Sequence, residues 1–347
     1  MSSDRLFTLD QLRPYLNVDE VNTGASYSLA PLGIVTDDIE GLHAVTDEQG
    51  RVILRSGIEF FFKIYRGQTQ EYGRCIPSLA RRKYIEEQLL DVCRNIAFED
   101  AIGCHPYIRI CEESRLLGHP LFINRQGLAQ HYGLATDLLD LTSNFNVASF
   151  FATCAWDSKT QRYLPIEFAM VPGVIYRISS PRLLCLAAEG QLSHVGWQPF
   201  PRPEQQRACA LTLGPDTDFV TLPGIETVRF RQNAEISHRI WNSFDKGNVL
   251  FPNDVASELA SRAFGLMEFT RSQISRGWDK LDAWLGVSTA SSSRSEIEQR
   301  SALSVVEQPT LSWEGLTLER DEGKLKSQLE DVFARVRFRL TAPHLSA

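Results

Sequence analysis

Residues 128–152 combine side chains that can do chemistry with leucine and phenylalanine residues that favour burial. His131 lies two positions before Gly133, and glycine readily adopts the left-handed conformation that ends a helix. Asp140 lies between two leucines, and a buried carboxylate requires hydrogen-bond donors or a cation. We therefore expect Asp140 to be enclosed beside a partner, and this stretch to form one wall of a site.

A buried helix is predicted directly after this polar stretch. Thr142, Ser143 and Asn144 are residue types that cap helix N-termini, and the apolar residues 147–152 follow them. The free amides at the start of such a helix point back toward the polar stretch and favour negative charge there. The helix is therefore expected to complete the wall.

A second candidate group is centred on Arg66. The apolar segment Ile58–Tyr65 predicts a buried strand, and Arg66, Gly67 and Gln68 follow it directly. A guanidinium at a strand end suits a phosphate or carboxylate ligand, and the glycine beside it lets that ligand approach the backbone. The alternative is a structural salt bridge between Arg66 and an acid such as Asp140.

The third candidate group is the polar run Glu204–Arg207. Proline restriction predicts an extended conformation for Pro199–Pro203, which delivers the run to a strand beginning at Ala208. Glu204 or Gln206 could then act at the strand entrance as Arg66 does at its own strand. The alternative is a solvated strand start without chemistry.

Hydrophobic periodicity and turn residues predict the elements that position these groups. A short helix follows Thr8 or Asp10, and a hairpin spans Leu42 to Leu54 with its turn at residues 47–50. Further helices are expected at residues 84–101, 108–117, 235–244 and 254–269, and further strands at 173–179, 183–187, 208–213, 219–222 and 227–231.

The last sixty residues are predicted to contain a linker and one helix. Residues 288–301 are rich in serine with scattered charge, which is typical of a linker. The apolar residues after it recur at three- and four-residue spacing and predict a helix that docks on its own chain or on a partner protein. They are Leu325, Leu329, Val332, Phe333 and Val336.

Composition excludes several classes of protein. With 347 residues, 43% of them hydrophobic, the chain can bury a large core. A net charge of -7 argues against a broad basic surface for duplex nucleic acid. The seven cysteines form no Cys-x-x-Cys pair, so we expect reduced thiols and no metal site. The chain has neither an apolar run of about 20 residues nor a signal peptide, which predicts a cytoplasmic protein.

Five segments, in this order along the chain, resemble the FRG domain family, named for a Phe-x-Arg-Gly type motif. They are Tyr65-Arg-Gly-Gln, Pro77-Ser-Leu, residues 130–142 with Asn146 and Phe150-Phe-Ala, Gly173-Val-Ile-Tyr, and Leu250-Phe-Pro-Asn-Asp. The resemblance covers about residues 55–265. The family usually has Pro at Ala135, Arg at Asp137 and Trp at Leu141. These departures bear on substrate preference rather than on the fold.

A second resemblance, to ADP-ribosyltransferases, implies a mechanism. Tyr65-Arg-Gly-Gln is similar to their first motif, in which an Arg or His on a strand holds NAD. Residues 141–152 are similar to the second, a Ser/Thr motif followed by a helix, and Glu204–Arg207 to the third, which usually carries a glutamate. Cleavage of the nicotinamide bond develops an oxocarbenium-like cation, which requires a negative or polar group beneath the ribose.

The resemblance implies a role for each candidate residue. The catalytic residues are then Arg66, His131, Glu204 and Gln206, and NAD is bound by Tyr65, Arg66, Gly67, Gln68, His131, Asp140 and Thr142. His131 contacts ribose or serves as a base, and Thr142 fixes the loop. The alternatives are that His131 only ties the turn at Gly133 to a carbonyl, and that Asp140 is only the structural partner of an arginine.

The expected fold is α+β: a split, mostly antiparallel sheet flanked by helices, ADP-ribosyltransferase-like, with a helical C-terminal extension. Residues 1–54 would form an N-terminal extension with a hairpin, 55–265 the FRG-like domain, and 266–347 the extension with its linker and amphipathic helix.

The expected function is transfer of ADP-ribose from NAD to a protein or nucleic-acid acceptor. The family resemblance suggests the toxin of a bacterial toxin-antitoxin or phage-defence system, with an antitoxin or chaperone docking on the C-terminal helix. The alternative is a non-catalytic module in which Arg66, Arg81, Arg82 and His131 bind RNA, a nucleotide or another anion. A hydrolase using His131 and Asp140 is a further alternative, but the chain has no Gly-x-Ser-x-Gly motif.

Overall fold

The computed structural model describes residues 6–16, 18, 42–47, 49–56, 63–178, 182, 185–186, 189–314, 316 and 322–337. Within these ranges the protein has an α+β fold, in which a mixed, mostly antiparallel sheet is flanked by helices. The described helices are α1 (Leu9–Tyr15), α2 (Ile85–Gly103), α3 (Pro106–Glu113), α4 (Arg125–His131), α5 (Phe145–Thr153), α6 (Pro201–Gln205), α7 (Ala234–Ser243), α8 (Val255–Phe264), α9 (Arg271–Leu285), α10 (Ser291–Arg300) and α11 (Glu322–Ala334).

The described strands follow the same chain order. They are β1 (Phe7–Thr8), β2 (Leu42–Thr46), β3 (Val52–Ser56), β4 (Ile64–Gln68), β5 (Arg115–Leu116), β6 (His119–Pro120), β7 (Leu138–Thr142), β8 (Cys154–Asp157), β9 (Arg162–Pro165), β10 (Gly173–Ile178), β11 (Leu192–His194), β12 (Ala208–Thr212), β13 (Ile225–Arg231), β14 (Glu268–Thr270), β15 (Ser304–Val306) and β16 (Val336–Arg337).

Seven of these strands form the main sheet, in the order β1-β13-β10-β4-β7-β12-β11. The two-residue strand β1 runs parallel to β13, and the other neighbours in this sheet are antiparallel. Strand β10 lies inside the sheet, and its residues Val174, Ile175 and Tyr176 are buried. A run of apolar side chains is typical of a strand that is covered on both faces.

The main sheet opens between β4 and β7. These two strands pair at Tyr65 and Thr142, in an antiparallel register that would bring Gly67 opposite Asp140. Instead, Nη1 of Arg66 donates a hydrogen bond of 2.5 Å to the backbone oxygen of Asp140. A side chain therefore supplies the donor that a continuous backbone ladder would have supplied.

Two apolar cores lie on the faces of the main sheet. On one face, Tyr65 and the rings and methyl groups of α5 and α1 pack together, and the Tyr65 and Phe145 rings meet edge to face at 5.5 Å. On the other face, Leu139 and Leu141 of β7 pack with residues of β10 and β12. The alternation of side chains along β7 therefore turns Leu139 away from Asp140.

A third core joins the helices α2, α3, α8, α9 and α11. The axes of α2 and α9 approach closely at Gly277, where a Cβ atom would lie 2.8 Å from Sγ of Cys93. The apolar stripe of α11 is buried in this core through Leu325, Leu329 and Val332. The C-terminal helix thus docks on its own chain, one of the two predicted alternatives.

Many predicted elements are confirmed. Helix α1 follows Thr8, the hairpin β2–β3 turns at Gly50, and α2, β10, β12, β13 and α7 lie within about three residues of their predicted bounds. The helix predicted after the capping cluster is α5, whose N-terminus is capped by Asn144 rather than by Thr142 or Ser143.

Several element predictions were wrong. Residues 219–221 form a 3-10 helix rather than a strand, and the helix predicted from 254 to 269 ends at Phe264, before β14. The helix predicted at 108–117 is α3, which begins at Pro106 and ends at Glu113, before the short strand β5. Of the strand predicted at 58–65, residues 58–62 lie outside the described residues. Of the strand predicted at 183–187, residues 183, 184 and 187 also lie outside them, and residues 185 and 186 are helical.

The linker predicted at residues 288–301 was also wrong, because most of it forms α10. Ile297 of this helix is buried in the third core, and Nη2 of Arg294 lies 2.6 Å from the carboxylate of Asp282 in α9. These tertiary contacts override the weak helix propensity of the serines. In the described part of the chain, no helix is both long and apolar enough to cross a membrane.

Candidate functional site

A cavity of about 150 Å³ lies where β4 and β7 separate. It is lined by residues from three distant parts of the chain, which include seven of the eight predicted NAD-binding and catalytic positions other than Glu204. The lining residues are Tyr65, Arg66, Gly67, His131, Asp140, Leu141, Thr142, Val147, Phe151, Tyr163 and Gln206, so Gln68 is the exception besides Glu204.

Arg66 lies in the middle of β4 rather than after its end, which corrects the predicted strand boundary. Its guanidinium bonds the backbone oxygen of Asp140 and not the carboxylate, so the predicted alternative of a salt bridge to Asp140 is also wrong. Guanidinium carries five N–H groups, and this contact uses only one of them. Arg66 is also one of the residues that line the cavity.

Asp140 is less enclosed than the flanking leucines suggested. Its side chain is 43% exposed, because strand alternation turns both leucines to the opposite face. Oδ2 accepts a hydrogen bond of 2.8 Å from Nε2 of Gln130. Oδ1 lies 3.8 Å from Nε2 of His131 and has no hydrogen-bond partner in the described part of the chain. Asp140 is the single carboxylate among the residues that line the cavity.

His131 is buried at the end of α4 and is held by Gln206. Nε2 of Gln206 donates to the backbone oxygen of Leu250 at 2.9 Å, which fixes the orientation of its amide group. Oε1 of Gln206 then accepts from Nδ1 of His131 at 3.0 Å. Nδ1 therefore carries a proton, and Nε2 is the nitrogen that faces Asp140. The predicted alternative, that His131 ties the turn at Gly133 to a carbonyl, was wrong.

Thr142 joins the end of β7 to the chain that enters β12. Its Oγ1 donates to the backbone oxygen of Gln206 at 2.7 Å and accepts from the backbone amide of Asn144 at 3.0 Å. Asn144 in turn caps α5 by accepting from the amide of Val147 at 3.3 Å. Thr142 thus fixes both the loop before α5 and the position of Gln206.

Gly67 lines the cavity, and its lack of a side chain also lets helix α5 pack closely on β4. A Cβ atom on Gly67 would lie 1.8 Å from the backbone oxygen of Ala148, so helix α5 rests directly on β4 at this point. The side chain of Tyr65 is buried in the core beneath α5, and Gln68 lines neither of the cavities described here. Among the residues of β4 that line the first cavity, Arg66 carries the charged side chain.

Glu204 does not reach the cavity, contrary to its predicted catalytic position. Pro201 begins the short helix α6 instead of extending the chain, because proline is well suited to the first turn of a helix. Arg202 stacks on the Tyr132 ring at 4.5 Å, and Glu204, two positions further, faces away and pairs with Arg335. The left-handed conformation of Arg207 (φ 48°) then redirects the chain into β12.

An aromatic wall of the cavity was not predicted from the sequence. Tyr163 of β9 stacks on Phe251 with centroids 4.8 Å apart, and Phe151 packs edge to face on Tyr163 at 5.7 Å. Burial, with the nearby charge of Asp140, raises the pKa of Tyr163 to about 12. The alternation of Arg162 to Pro165 was the available signal, although the segment is too short to identify by pattern alone.

A second cavity, of about 240 Å³, adjoins the first at Arg66 and Asp140. Besides these two residues, polar and apolar residues from α4, β7 and the segments beside them line this cavity. They are Ser78, Arg81, Gln130, Gly133, Leu134, Leu138 and Leu139. Arg81, predicted only as part of a general basic cluster, therefore belongs to this opening, whereas Arg82 pairs with Asp91 at 2.6 Å.

The two cavities together offer cationic donors, one imidazole and one carboxylate. Neither is lined by cysteine, and the described residues contain no cluster of His, Cys, Asp and Glu that could hold a metal ion. This set of groups can bind an anion, accept hydrogen bonds from sugar hydroxyls, and move a proton at Nε2 of His131.

Comparison with known proteins identifies part of the chain. Residues 63–161 match the FRG domain family, a narrower range than the expected 55–265. A search of curated proteins and a search of solved structures each gave no match. The matched range includes Arg66, His131, Asp140 and Thr142 but ends before Tyr163 and Gln206. The chain therefore contains an FRG domain at residues 63–161.

Proposed function

We propose that the protein transfers ADP-ribose from NAD to a protein or nucleic-acid acceptor, on an ADP-ribosyltransferase-like sheet. One observation carries the proposal: a guanidinium, an imidazole and a carboxylate from separate segments line one cavity at the opening between β4 and β7. Transfer of ADP-ribose needs a cation for the phosphates, a polar or negative group near the ribose, and a base for the acceptor.

The proposed role of Arg66 is to hold a phosphate of NAD. Its bond to the Asp140 carbonyl orients the guanidinium, so little side-chain freedom is lost when a ligand binds. The aromatic rings of Tyr163 and Phe151 would then cover the apolar face of the nicotinamide.

Asp140 replaces Glu204 as the proposed group that stabilises the reacting ribose. In the reaction, the bond between ribose and nicotinamide breaks and its electron pair leaves with nicotinamide. Positive charge develops on the ribose, and the carboxylate of Asp140 opposes it from the cavity wall. Glu204 already pairs with Arg335 and faces elsewhere.

His131 is the proposed base for the acceptor. A nucleophilic atom of the acceptor donates its lone pair to the ribose carbon, and its proton passes to Nε2 of His131. Gln206 holds Nδ1 of the ring at 3.0 Å, so Nε2 is the nitrogen that can take that proton. Gln206 is thus a positioning residue in this proposal, not a catalytic one.

From the FRG resemblance, we propose that the protein acts as the toxin of a toxin-antitoxin or phage-defence system. An antitoxin or chaperone was expected on the C-terminal helix. Because the apolar stripe of α11 packs in the third core, a restraining partner would have to contact the polar face of α11 or another surface.

A non-catalytic module that binds RNA, a nucleotide or another anion is the second candidate. The exposure and hydrogen bonding of Asp140 favour this candidate, because the side chain is 43% exposed and already accepts a hydrogen bond from Gln130. Exposure to water weakens the electrostatic stabilisation that a carboxylate can give to a cation. Binding without chemistry requires only the guanidinium groups.

Incubation with NAD labelled in the nicotinamide tests the proposal. The wild-type protein should release nicotinamide, and Asp140→Asn should reduce the rate by about 10²-fold or more. Glu204→Gln is the matched acid-to-amide control and should keep the wild-type rate. Absence of release with any acceptor, together with salt-sensitive RNA binding, would instead support the module. Equal loss in both variants would contradict the role given to Asp140.

A further inference from the structure

The first cavity is small for the ligand that the proposed function requires. Its volume of about 150 Å³ lies below the roughly 300–1,000 Å³ that is typical of sites for drug-sized ligands. The second cavity, of about 240 Å³, shares Arg66 and Asp140 with it. A dinucleotide that entered the first cavity would therefore extend past these two residues into the second.

The second cavity has two guanidinium groups that form no ion pair with a described carboxylate. In the described ranges, neither Arg66 nor Arg81 has a carboxylate oxygen within ion-pair distance. The pKa of Arg81 is lowered by partial desolvation of its guanidinium and then by the charge of Arg66. Asp140 is the one carboxylate in the described lining that opposes these two cations, and a bound anion would relieve the repulsion that remains between them.

The other polar groups of this cavity are already committed. The hydroxyl of Ser78 accepts from the amide of Thr136 at 3.1 Å, and the Gln130 amide bridges Thr136 and Asp140. Arg81 uses Nε and Nη2 to bond the backbone oxygen of Ile76, which fixes its guanidinium, and among the described residues Nη1 has no hydrogen-bond partner. The donors that remain are cationic, so the cavity suits an anion better than a neutral sugar or base.

The balance of charge in the lining agrees with this chemistry. Arg66 and Arg81 face one carboxylate, that of Asp140, so the lining carries a net positive charge. The volume is several times the roughly 30 Å³ that one water molecule occupies, which leaves room for an anion with more than one phosphate.

We propose that the second cavity is a phosphate subsite, in which Arg81 and Arg66 bind the pyrophosphate of a dinucleotide whose reacting end occupies the first cavity. This inference rests on the proposed function for the identity of the ligand. The cation–anion contact itself does not depend on it, since any pyrophosphate group of the right size would bind the same two side chains.

Titration calorimetry with inorganic pyrophosphate and with ADP tests the subsite in the full chain. Wild-type protein should bind both, and Arg81→Gln should weaken binding about tenfold or more, because a charge-assisted hydrogen bond is lost. Lys83→Gln is the matched control. Lys83 lies two positions after Arg81, is exposed and lines neither cavity, so this substitution removes the same charge outside the subsite. The Lys83→Gln protein should bind pyrophosphate and ADP with wild-type affinity.

Nicotinamide release from NAD distinguishes failure of the subsite from failure of the proposed function. Arg81-dependent binding of pyrophosphate without nicotinamide release would support the subsite and overturn the transferase. Release of nicotinamide with the same KM for NAD in Arg81→Gln and Lys83→Gln would keep the transferase and overturn the subsite. Failure of the wild type to bind pyrophosphate at low salt would also overturn it.

Discussion

Strand β7 has two edges, and they differ in how their backbone groups are satisfied. On one edge it pairs with β12 at five successive positions, from Thr142 opposite Ala208 to Leu138 opposite Thr212. On the other edge it pairs with β4 at a single position, and beyond this the guanidinium of Arg66 bonds the Asp140 carbonyl. The first edge builds the sheet, and the second opens a cavity in it.

The difference shows how a sheet can hold a polar site without losing its backbone hydrogen bonds. A buried carbonyl without a donor is costly, so an open strand edge inside a protein needs a substitute for the missing ladder. Arg66 supplies that substitute and, with its other N–H groups, a cation for a ligand. One side chain therefore connects the stability of the opening to its proposed function.

Arg66→Gln should have the largest effect, because it removes both contributions. We expect nicotinamide release to fall by about 10²-fold or more, and the free energy of unfolding to fall by about 1–3 kcal/mol as the Asp140 carbonyl loses its donor. Arg74→Gln is the control, since Arg74 is exposed and bonds the backbone oxygen of Asp216. Rates and urea unfolding would measure both effects, and identical behaviour of the two variants would break the comparison.

Gly67→Ala should damage the sheet on the β4 side. The new methyl group would meet the backbone oxygen of Ala148, and the helix cannot move away without leaving Tyr65, so we expect a loss of at least about 3 kcal/mol. Gly73→Ala adds the same methyl group where no atom lies within 4 Å and should be nearly neutral. Urea unfolding compares them. Equal stability would mean that β4 and α5 are not in close contact.

The sequence indicated the polar residues that lie where β7 faces β4, which is the open edge of β7, but it did not indicate that these two strands separate. Arg66, His131 and Asp140 stood out because each lies in a local pattern of polar residues beside apolar runs. The opening depends on the register of two strands separated by some seventy residues, and no local pattern contains that information.

The wrong predictions have identifiable physical causes. Prolines near residue 201 fit an extended chain and the first turn of a helix equally well, and packing of Arg202 on Tyr132 selects the helix that turns Glu204 away. The close packing of α5 on Gly67 was not predicted either, because a sequence does not show what approaches a glycine.

The stability of the helical core should depend on pH through His105, which lies far from the open edge of β7 in the sequence. His105 caps α3, accepts from the amide of Tyr107 at 3.1 Å, and burial lowers its pKa from 6.5 to about 4. Above pH 6.5 the ring is neutral in both states. Below it only the unfolded chain takes up the proton, so stability falls by about 3 kcal/mol at most as the pH falls toward 4.

His105→Asn keeps a capping residue and should remove this part of the pH dependence. Urea unfolding between pH 7.5 and 4.5 would compare the slopes for wild type and variant. Equal slopes would mean that the ring is not buried in the neutral form. Activity at the open edge should therefore be compared between variants above pH 6.5, where this loss is absent.

Glu204→Gln should have the smallest effect and sharpens the contrast between predicted and observed sites. The variant loses the ion pair between Glu204 and Arg335. Because the Arg335 side chain is about one-third exposed, this loss costs about 1 kcal/mol or less. Nicotinamide release should stay within about twofold of the wild-type rate. A loss comparable with that of Asp140→Asn would return Glu204 to the site and contradict the geometry of α6.

The most direct test of the central claim is hydrogen exchange of backbone amides with and without NAD. A ligand in the opening should slow exchange in Ile64–Gln68 and Leu138–Thr142 and in the end of α4, and leave the amides of β11 unchanged. Slowing confined to the β12 and β11 side of the sheet, or to the helical core, would contradict the assignment of the ligand site to the open edge of β7.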